Sequence, residues 1–380
     1  MISNTNFSKH NIFSITNLLL FLLIVPKINL ININNSWQGI RVENLISVVL
    51  LLIISFNPKN FKINDNLKFY LFCGIIFISY LVGAINNFPV HIASLFRIFE
   101  YIIFVLFFSN FKLDYEKIIS FCKFLIIFNL IICFLQYYEI IGFFSSRGYS
   151  APNFSLFGAA GIFSGSWELS FITSLLYFLI YHNDKKKFNI YFFLTLTTLY
   201  LASTRGIMIS FFLSIIFLYF GKIKINVFHL IVVFLSLYGF FIFTNKYFEF
   251  DLFLLTESLL RLIFLNQNIL EDYGSRGDQY YSWALRMEVW AYHANLFNKN
   301  IITNLFGSGY TSIYYESLIF RILFANGVIG LIILCIFFLR LKLYMIIFLL
   351  LASLSLDFIA SFKMFIILFI YIKYLKFLEK

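Results

Sequence analysis

The chain has 380 residues, of which 61% are hydrophobic and 12% charged, and its formal net charge is +11. A soluble domain has about 45–50% apolar and about 25% charged residues, so this composition excludes an ordinary soluble fold. The positive charge does not indicate a nucleic-acid partner, because a polytopic membrane protein accumulates lysine in its cytoplasmic loops.

The apolar residues fall into runs of about 17 to 25 residues, the length that crosses the roughly 30 Å hydrocarbon core of a bilayer. The sequence therefore predicts an all-α polytopic membrane protein with about twelve transmembrane helices. The predicted spans are residues 12–30, 42–57, 69–86, 91–109, 118–137, 164–181, 188–204, 206–220, 226–243, 313–339, 343–357 and 359–376. No small-residue cleavage site separates the first run from Pro26, so we expect a retained span rather than a signal peptide.

The distribution of basic residues predicts the orientation of these spans. If the N-terminus faces the cytoplasm, sixteen lysines and arginines lie in the cytoplasmic segments. The short outer segments then hold only Lys27, Arg41, Arg147 and Arg205. This asymmetry follows the positive-inside rule and predicts a multi-pass membrane protein with both termini in the cytoplasm.

One long polar segment, residues 245–312, interrupts the series of spans. The sequence thus divides into residues 1–244 with nine spans, a large outer (periplasmic) loop at 245–312, and residues 313–380 with three spans. Within the loop, the apolar stretch 251–265 predicts a helix on the membrane surface. Residues 271–279 predict a polar loop, and the spacing of apolar residues over 282–297 predicts a second helix.

Ionisable residues inside the predicted spans are few, and each is a functional candidate because a charge in hydrocarbon costs several kcal/mol. Arg97 and Glu100 lie three residues apart, which places them on one helix face as a pair. Such a pair either neutralises itself within the bundle or binds a substrate. Lys123 and Lys363 lie near span ends, where a lysine can extend its ammonium group to the interface.

Arginines recur on the predicted outer face, at Arg147, Arg205 and Arg286, and Glu316 and Arg321 follow directly after the large loop. The planar guanidinium group binds phosphate oxygens in a bidentate manner, so the arginines together indicate a site for a pyrophosphate. Taken singly, each arginine is better explained as an anchor to lipid headgroups, least so Arg205, which lies in a turn between two spans with almost no polar neighbours.

Motifs for metal or nucleotide binding do not occur in the sequence. The five histidines are scattered, and no pair of carboxylates has the spacing of a metal-binding motif. There is likewise no phosphate-binding glycine loop, dinucleotide fingerprint or nucleophile elbow. The sequence therefore predicts neither a metal ion nor a nucleotide cofactor.

Four short motifs on the outer face carry a resemblance to a known family. They are Arg147-Gly-Tyr-Ser-Ala-Pro-Asn153, Ser203-Thr-Arg-Gly206, Arg286-Met-Glu-Val-Trp290 and Leu305-Phe-Gly-Ser-Gly-Tyr310. In their order and topology they resemble the O-antigen polymerase and O-antigen ligase superfamily of bacterial polysaccharide assembly. The resemblance covers about half of the chain, residues 147–334. Over the rest of the chain, the number of predicted spans also resembles that of the family.

A further motif favours the polymerase branch of this family. The ligases have a histidine, then Asn, Ser or Gln, nine residues, a glycine, two residues and a glycine. Here Glu316-Ser317 precedes Gly327 and Gly330 at that spacing, with glutamate in place of the histidine.

The resemblance implies a metal-independent glycosyltransferase. Such a polymerase transfers a glycan from undecaprenyl pyrophosphate to a lipid-linked repeat unit at the outer face of the cytoplasmic membrane. Its implied partners are the lipid-linked oligosaccharide, membrane lipid and a chain-length regulator protein, and no cofactor is needed.

The residues suit this chemistry. A partly buried carboxylate such as Glu316 is a suitable base for the acceptor hydroxyl. Arg205 and Arg286, with help from Arg147 and Arg321, are suited to stabilising the leaving pyrophosphate. Glu316 has one alternative role, as a structural ion-pair partner of Arg321.

Two other functions remain open at this point. An O-antigen ligase shares the resemblance and the donor. A membrane transporter or oligosaccharide flippase usually shows repeat symmetry and broken helices in corresponding halves, and the sequence shows neither.

Overall fold

The fold is known from a computed structural model of the chain. The structure describes residues 9–32, 39–58, 61, 67–91, 93–145, 148–150, 158–186, 188–220, 281–311, 317–338 and 341–378.

The described chain is mostly helical. Its helices are α1 (Lys9–Ile24), α2 (Val42–Phe56), α3 (Leu67–Ile85), α4 (Ala93–Ser109), α5 (Tyr115–Tyr137), α6 (Ser166–Asp184), α7 (Ile190–Ala202), α8 (Arg205–Phe220), α9 (Tyr281–Phe297), α10 (Ile301–Phe306), α11 (Leu318–Phe338), α12 (Leu343–Ser355) and α13 (Phe362–Leu378). Four short strands form two antiparallel pairs, β1 (Asn29–Asn32) with β2 (Gly39–Arg41) and β3 (Phe143–Ser145) with β4 (Gly148–Ser150).

Helices occupy eleven of the twelve predicted spans, with ends shifted by a few residues. The remaining predicted span, 226–243, lies outside the described residues, as do the loop segments 251–265 and 271–279. Helix α9 confirms the helix predicted for the second half of the loop. The largest difference between a predicted and an observed boundary is in the first span, which was predicted to end at residue 30, whereas α1 ends at Ile24. The helix ends there because the helical conformation is disfavoured for the residue before Pro26.

Three of the described helices are long and apolar enough to cross a membrane, namely α3, α5 and α11, with 19, 23 and 21 residues. Helices α2, α7, α8 and α12 are apolar but shorter. The outward faces are apolar as well, since Val48 and Leu52 of α2 and Phe124 and Ile131 of α5 are exposed. A helix that is apolar on all sides is suited to lipid or to a protein interior.

Helix α6 lies at the centre of the larger hydrophobic core, and every residue from Glu168 to Ile180 is buried. It packs against α5, α7, α8 and α13. Ser170 and Ser174 on α6 permit this close packing because their small hydroxyl groups are hydrogen-bonded. The Oγ of Ser174, for example, donates to the carbonyl oxygen of Ser170 at 2.8 Å.

A smaller core joins α3, α9, α10 and α11. Its buried members are Ile76, Tyr80, Trp290, Tyr310, Phe324 and Ala325. This core fixes the segment after α10 against α11, next to the charged residues described below.

Candidate functional site

Buried and half-buried charged side chains collect where one set of helix ends meets. They come from the C-terminal ends of α1 and α12 and from the N-terminal ends of α2, α4, α6, α11 and α13. Their members are Lys27, Arg41, Glu43, Arg97, Glu100, Glu168, Arg321, Asp357 and Lys363. Charges removed from water are costly unless they are paired and hydrogen-bonded, so the contacts within this set explain how the fold holds them.

The first group of contacts joins α2 to α4. Nη1 of Arg97 lies 2.8 Å from Oε2 of Glu100, which confirms the predicted i,i+3 pair. Glu43 adds a second carboxylate, with its Oε1 3.9 Å from Nη2 of Arg97 and 3.8 Å from Nη1 of Arg41. The side-chain amide of Asn44 donates to Glu100. Arg97 is therefore shared between carboxylates of two helices.

The second group holds Arg321 between α11 and α12. Its guanidinium donates to the carboxylate of Asp357, which is fully buried. The guanidinium carbon also lies 4.5 Å from the centre of the Tyr310 ring, a distance at which a cation and an aromatic face attract. Burial raises the pKa of Tyr310, although Arg321 opposes the shift. The Tyr310 hydroxyl therefore stays protonated, and it donates to Oδ1 of Asn326 at 2.6 Å.

The third group surrounds the fully buried Glu168, at the start of α6. Its Oε2 accepts from the backbone N–H and the hydroxyl of Ser164 at 3.0 and 2.8 Å, and Ser361 donates to Oε1. Lys363 lies in the same region, with its ammonium nitrogen 4.9 Å from the centre of the Phe163 ring. Only 4% of Lys363 is exposed, so the expectation that this lysine extends to the interface is wrong.

A break in α11 positions Tyr310 and Arg321. Gly327 has a φ of +71°, a backbone conformation that favours glycine, and it interrupts the helix. The segment after α10 satisfies the carbonyl groups before the break. The N–H of Ser308 donates to the carbonyl of Phe324 at 2.9 Å, and that of Gly309 to Ala325 at 3.1 Å. The sequence showed no broken helix, and α11 corrects that reading.

A largely apolar groove of about 2220 Å³ runs between α2, α4, α11 and α13. Arg41, Arg97 and Arg321 line one of its ends, together with Glu100 and Tyr310. Lysines line the opposite end. The groove thus combines apolar walls along the helices with three half-buried guanidinium groups at one terminus, an arrangement that fits an apolar chain carrying a phosphate group.

Of the five predicted site residues, the structure describes the side chains of Arg205 and Arg321, and Arg321 lines this groove. Arg205 is the first residue of α8, with an exposed side chain, and it does not line the groove. Arg286 lies on α9, where the structure describes the backbone but not this side chain. Arg147 and Glu316 lie outside the described residues, so the structure does not test the pairing of Glu316 with Arg321.

Sequence reasoning missed three of the buried carboxylates, Glu43, Glu168 and Asp357. Asp357 carried a usable signal, because it is the only carboxylate in the 62 residues 317–378, a stretch otherwise rich in apolar residues.

His293 on α9 is also buried, with its Nε2 3.4 Å from the hydroxyl of Thr311. Burial lowers the pKa of His293 to about 4, so its imidazole is neutral at physiological pH.

No protein-family model, curated protein or solved structure matches the chain significantly. Among the described residues, no group of three or more histidine, cysteine or acidic side chains is placed to hold a metal ion.

Proposed function

We propose that this chain is a polytopic membrane glycosyltransferase that polymerises lipid-linked oligosaccharides. It transfers a glycan from undecaprenyl pyrophosphate to the end sugar of a second lipid-linked repeat unit, at the outer face of the bacterial cytoplasmic membrane. The observation that carries the proposal is the groove between α2, α4, α11 and α13, which joins apolar walls to three arginines.

The two parts of the donor differ in chemistry, and the groove offers a surface to each. The prenyl chain is apolar and packs along the walls, while the pyrophosphate is anionic and meets Arg41, Arg97 and Arg321. Glu43 and Asp357 pair with these arginines but do not line the groove. Glu100, the partner of Arg97, does line this end, so the described charged groups that a ligand meets there are three guanidinium groups and one carboxylate.

The same arginines serve the transition state. As the glycosidic bond breaks, negative charge grows on the departing pyrophosphate, and pre-placed guanidinium groups stabilise that charge. Arg205, Arg286 and Arg147 remain proposed helpers on the outer face, and Glu316 remains the proposed base for the acceptor hydroxyl. Its chain neighbour Ser317 is buried and donates to the carbonyl oxygen of Ser353 at 2.9 Å, which anchors the start of α11 against α12.

The proposal includes the topology that this reaction requires. It has twelve spans, both termini in the cytoplasm and residues 245–312 in the periplasm, so that the arginine end of the groove faces outward. The partners are the lipid-linked oligosaccharide, the surrounding lipid and a chain-length regulator protein.

Arginine-to-lysine variants test the donor site in the bacterium that carries the gene. Lysine keeps the positive charge but loses the planar fork that binds a pyrophosphate. We expect Arg97→Lys and Arg321→Lys to abolish the ladder of long glycans and to accumulate single repeats on lipid. Arg205→Lys and Arg286→Lys test the proposed helpers in the same way.

Arg340→Lys, at the predicted cytoplasmic end, is the matched control and should leave the ladder intact at equal protein level. Normal ladders in both Arg97→Lys and Arg321→Lys would contradict the proposed donor site.

The same experiment separates the other two functions. Loss of a ligase leaves long glycans on undecaprenyl pyrophosphate, whereas loss of a flippase leaves single repeats at the inner face. The break at Gly327 is a feature of transporters, but it favours neither alternative here. The carbonyl groups before the break accept hydrogen bonds from the N–H groups of Ser308 and Gly309. No matching break occurs in the other described helices.

A further inference from the structure

The end of the groove opposite the arginines is basic. Its lining lysines come from α3, α13 and the segments beside α4 and α12, and they are Lys68, Lys112, Lys342, Lys373 and Lys376. Lys373 caps the C-terminal end of α4, donating to the carbonyl groups of Phe108 and Phe111 at 2.6 Å each. The other four lysines make no ion pair with any described residue.

Among the described residues, no carboxylate lines the lysine end of the groove. Of those that line the groove as a whole, Glu100 is the only acidic one, and Glu100 lies at the arginine end. The walls between the two ends are apolar and include Phe69, Leu106, Leu334 and Phe365. A bundle of lysines beside an apolar wall has the chemistry of a site for an anionic lipid.

The two ends of the groove are far enough apart to lie in opposite leaflets. Helix α4 runs along the groove and has 17 residues, which corresponds to a rise of roughly 25 Å. This length approaches the thickness of the hydrocarbon core, about 30 Å. An anionic group held by the lysines is therefore separate from the pyrophosphate held by the arginines.

We propose that the lysine end of the groove binds an anionic phospholipid of the cytoplasmic leaflet, with its phosphate on Lys112 and Lys376 and its acyl chains along the apolar walls. The inference rests on the orientation given under the proposed function, which places the lysines inside. Charge complementarity favours this occupant, because the cytoplasmic leaflet carries the anionic lipids that attract basic residues beside a membrane helix.

Native mass spectrometry of the purified full chain tests the site directly. The protein is titrated with phosphatidylglycerol, phosphatidylcholine or undecaprenyl phosphate. We expect phosphatidylglycerol to bind and phosphatidylcholine to bind much more weakly. The double variant Lys112→Gln, Lys376→Gln should weaken binding of phosphatidylglycerol by about tenfold or more, since each basic residue near a membrane surface contributes measurably to anionic-lipid binding.

Two further variants complete the test. Lys185→Gln with Lys186→Gln removes the same charge from exposed positions outside the groove and should leave binding unchanged. Leu106→Trp fills the apolar wall and should reduce binding while every lysine is retained.

Three results would overturn the inference. They are equal binding of the neutral lipid, equal affinity in the groove variant and its control, or binding of undecaprenyl phosphate without phosphatidylglycerol. The glycan ladders of the arginine variants remain a separate measurement, so failure of the lipid site is distinguishable from failure of the proposed function.

Discussion

The ion pair between Arg321 and Asp357 offers a sharp test of how the site is held. Asp357 is fully buried, and the side chain of Arg321 is 14% exposed. Asp357→Asn keeps the size of the side chain but removes its charge, so the guanidinium of Arg321 loses its carboxylate partner and keeps its contact with the Tyr310 ring. Breaking a buried pair from one side costs about 3–5 kcal/mol, and we expect the free energy of unfolding to fall by that amount.

Denaturant titration of the purified protein in lipid-detergent micelles measures this loss. The double variant Asp357→Asn, Arg321→Gln should recover part of the lost free energy of unfolding, because the uncompensated charge is gone. The coupling energy between the two substitutions should be about 0.5–3 kcal/mol. Asp184→Asn is the matched control. Its pair with Lys123, at 2.9 Å, is partly exposed on both sides, so it should cost only about 0–1 kcal/mol.

Two outcomes would refute this reasoning. Wild-type stability of Asp357→Asn would mean that the pair does not hold the start of α11. A double variant whose loss equals the sum of the single losses would mean that the two residues act independently.

Three other predictions follow from the topology, the backbone and the proposed base. A reporter fused near Gly274 should give a periplasmic signal and one fused after Lys186 a cytoplasmic signal; the reverse pattern would invert the orientation. Gly327→Ala should reduce the yield of folded protein, with a cost of about 1–3 kcal/mol, because its φ is +71° and a Cβ would overlap the segment around α10. In Gly74→Ala, the added Cβ meets no atom within 4 Å, so the yield of folded protein should equal that of the wild type. Size-exclusion chromatography measures the yield for both variants. Glu316→Gln should accumulate single lipid-linked repeats while the Asp variant retains part of the ladder; long glycans in the Gln variant would exclude this glutamate as the base.

The helices themselves were largely predictable from the sequence. Long apolar runs have few alternatives to a helix, since backbone polar groups in apolar surroundings must be satisfied within the chain. The i,i+3 pair of Arg97 and Glu100 was predictable for the same reason, because helical geometry alone brings the two side chains together. The end of α1 was misplaced although Pro26 marked it, because apolar residues continue beyond the proline.

The break in α11 shows where local patterns stop being informative. Gly327 and Gly330 stood out in the sequence only through their spacing from Glu316. That Gly327 takes a positive φ depends on the segment after α10, whose N–H groups replace the lost helical bonds. The partner segment is distant in sequence, so no local pattern indicates the break.

The composition of the charged cluster was likewise decided by tertiary structure. Asp357 lies 36 residues from Arg321, and Ser361 lies 193 residues from Glu168. Local spacing carries no information about contacts at such separations, and these depend on how the helices pack. The sequence by itself determined that the chain is helical and apolar, where its described helices lie and that Arg97 pairs with Glu100. Only the packing of α2, α4, α11, α12 and α13 decided which of these charges meet and that a groove runs between them, because both depend on side chains brought together from remote parts of the chain.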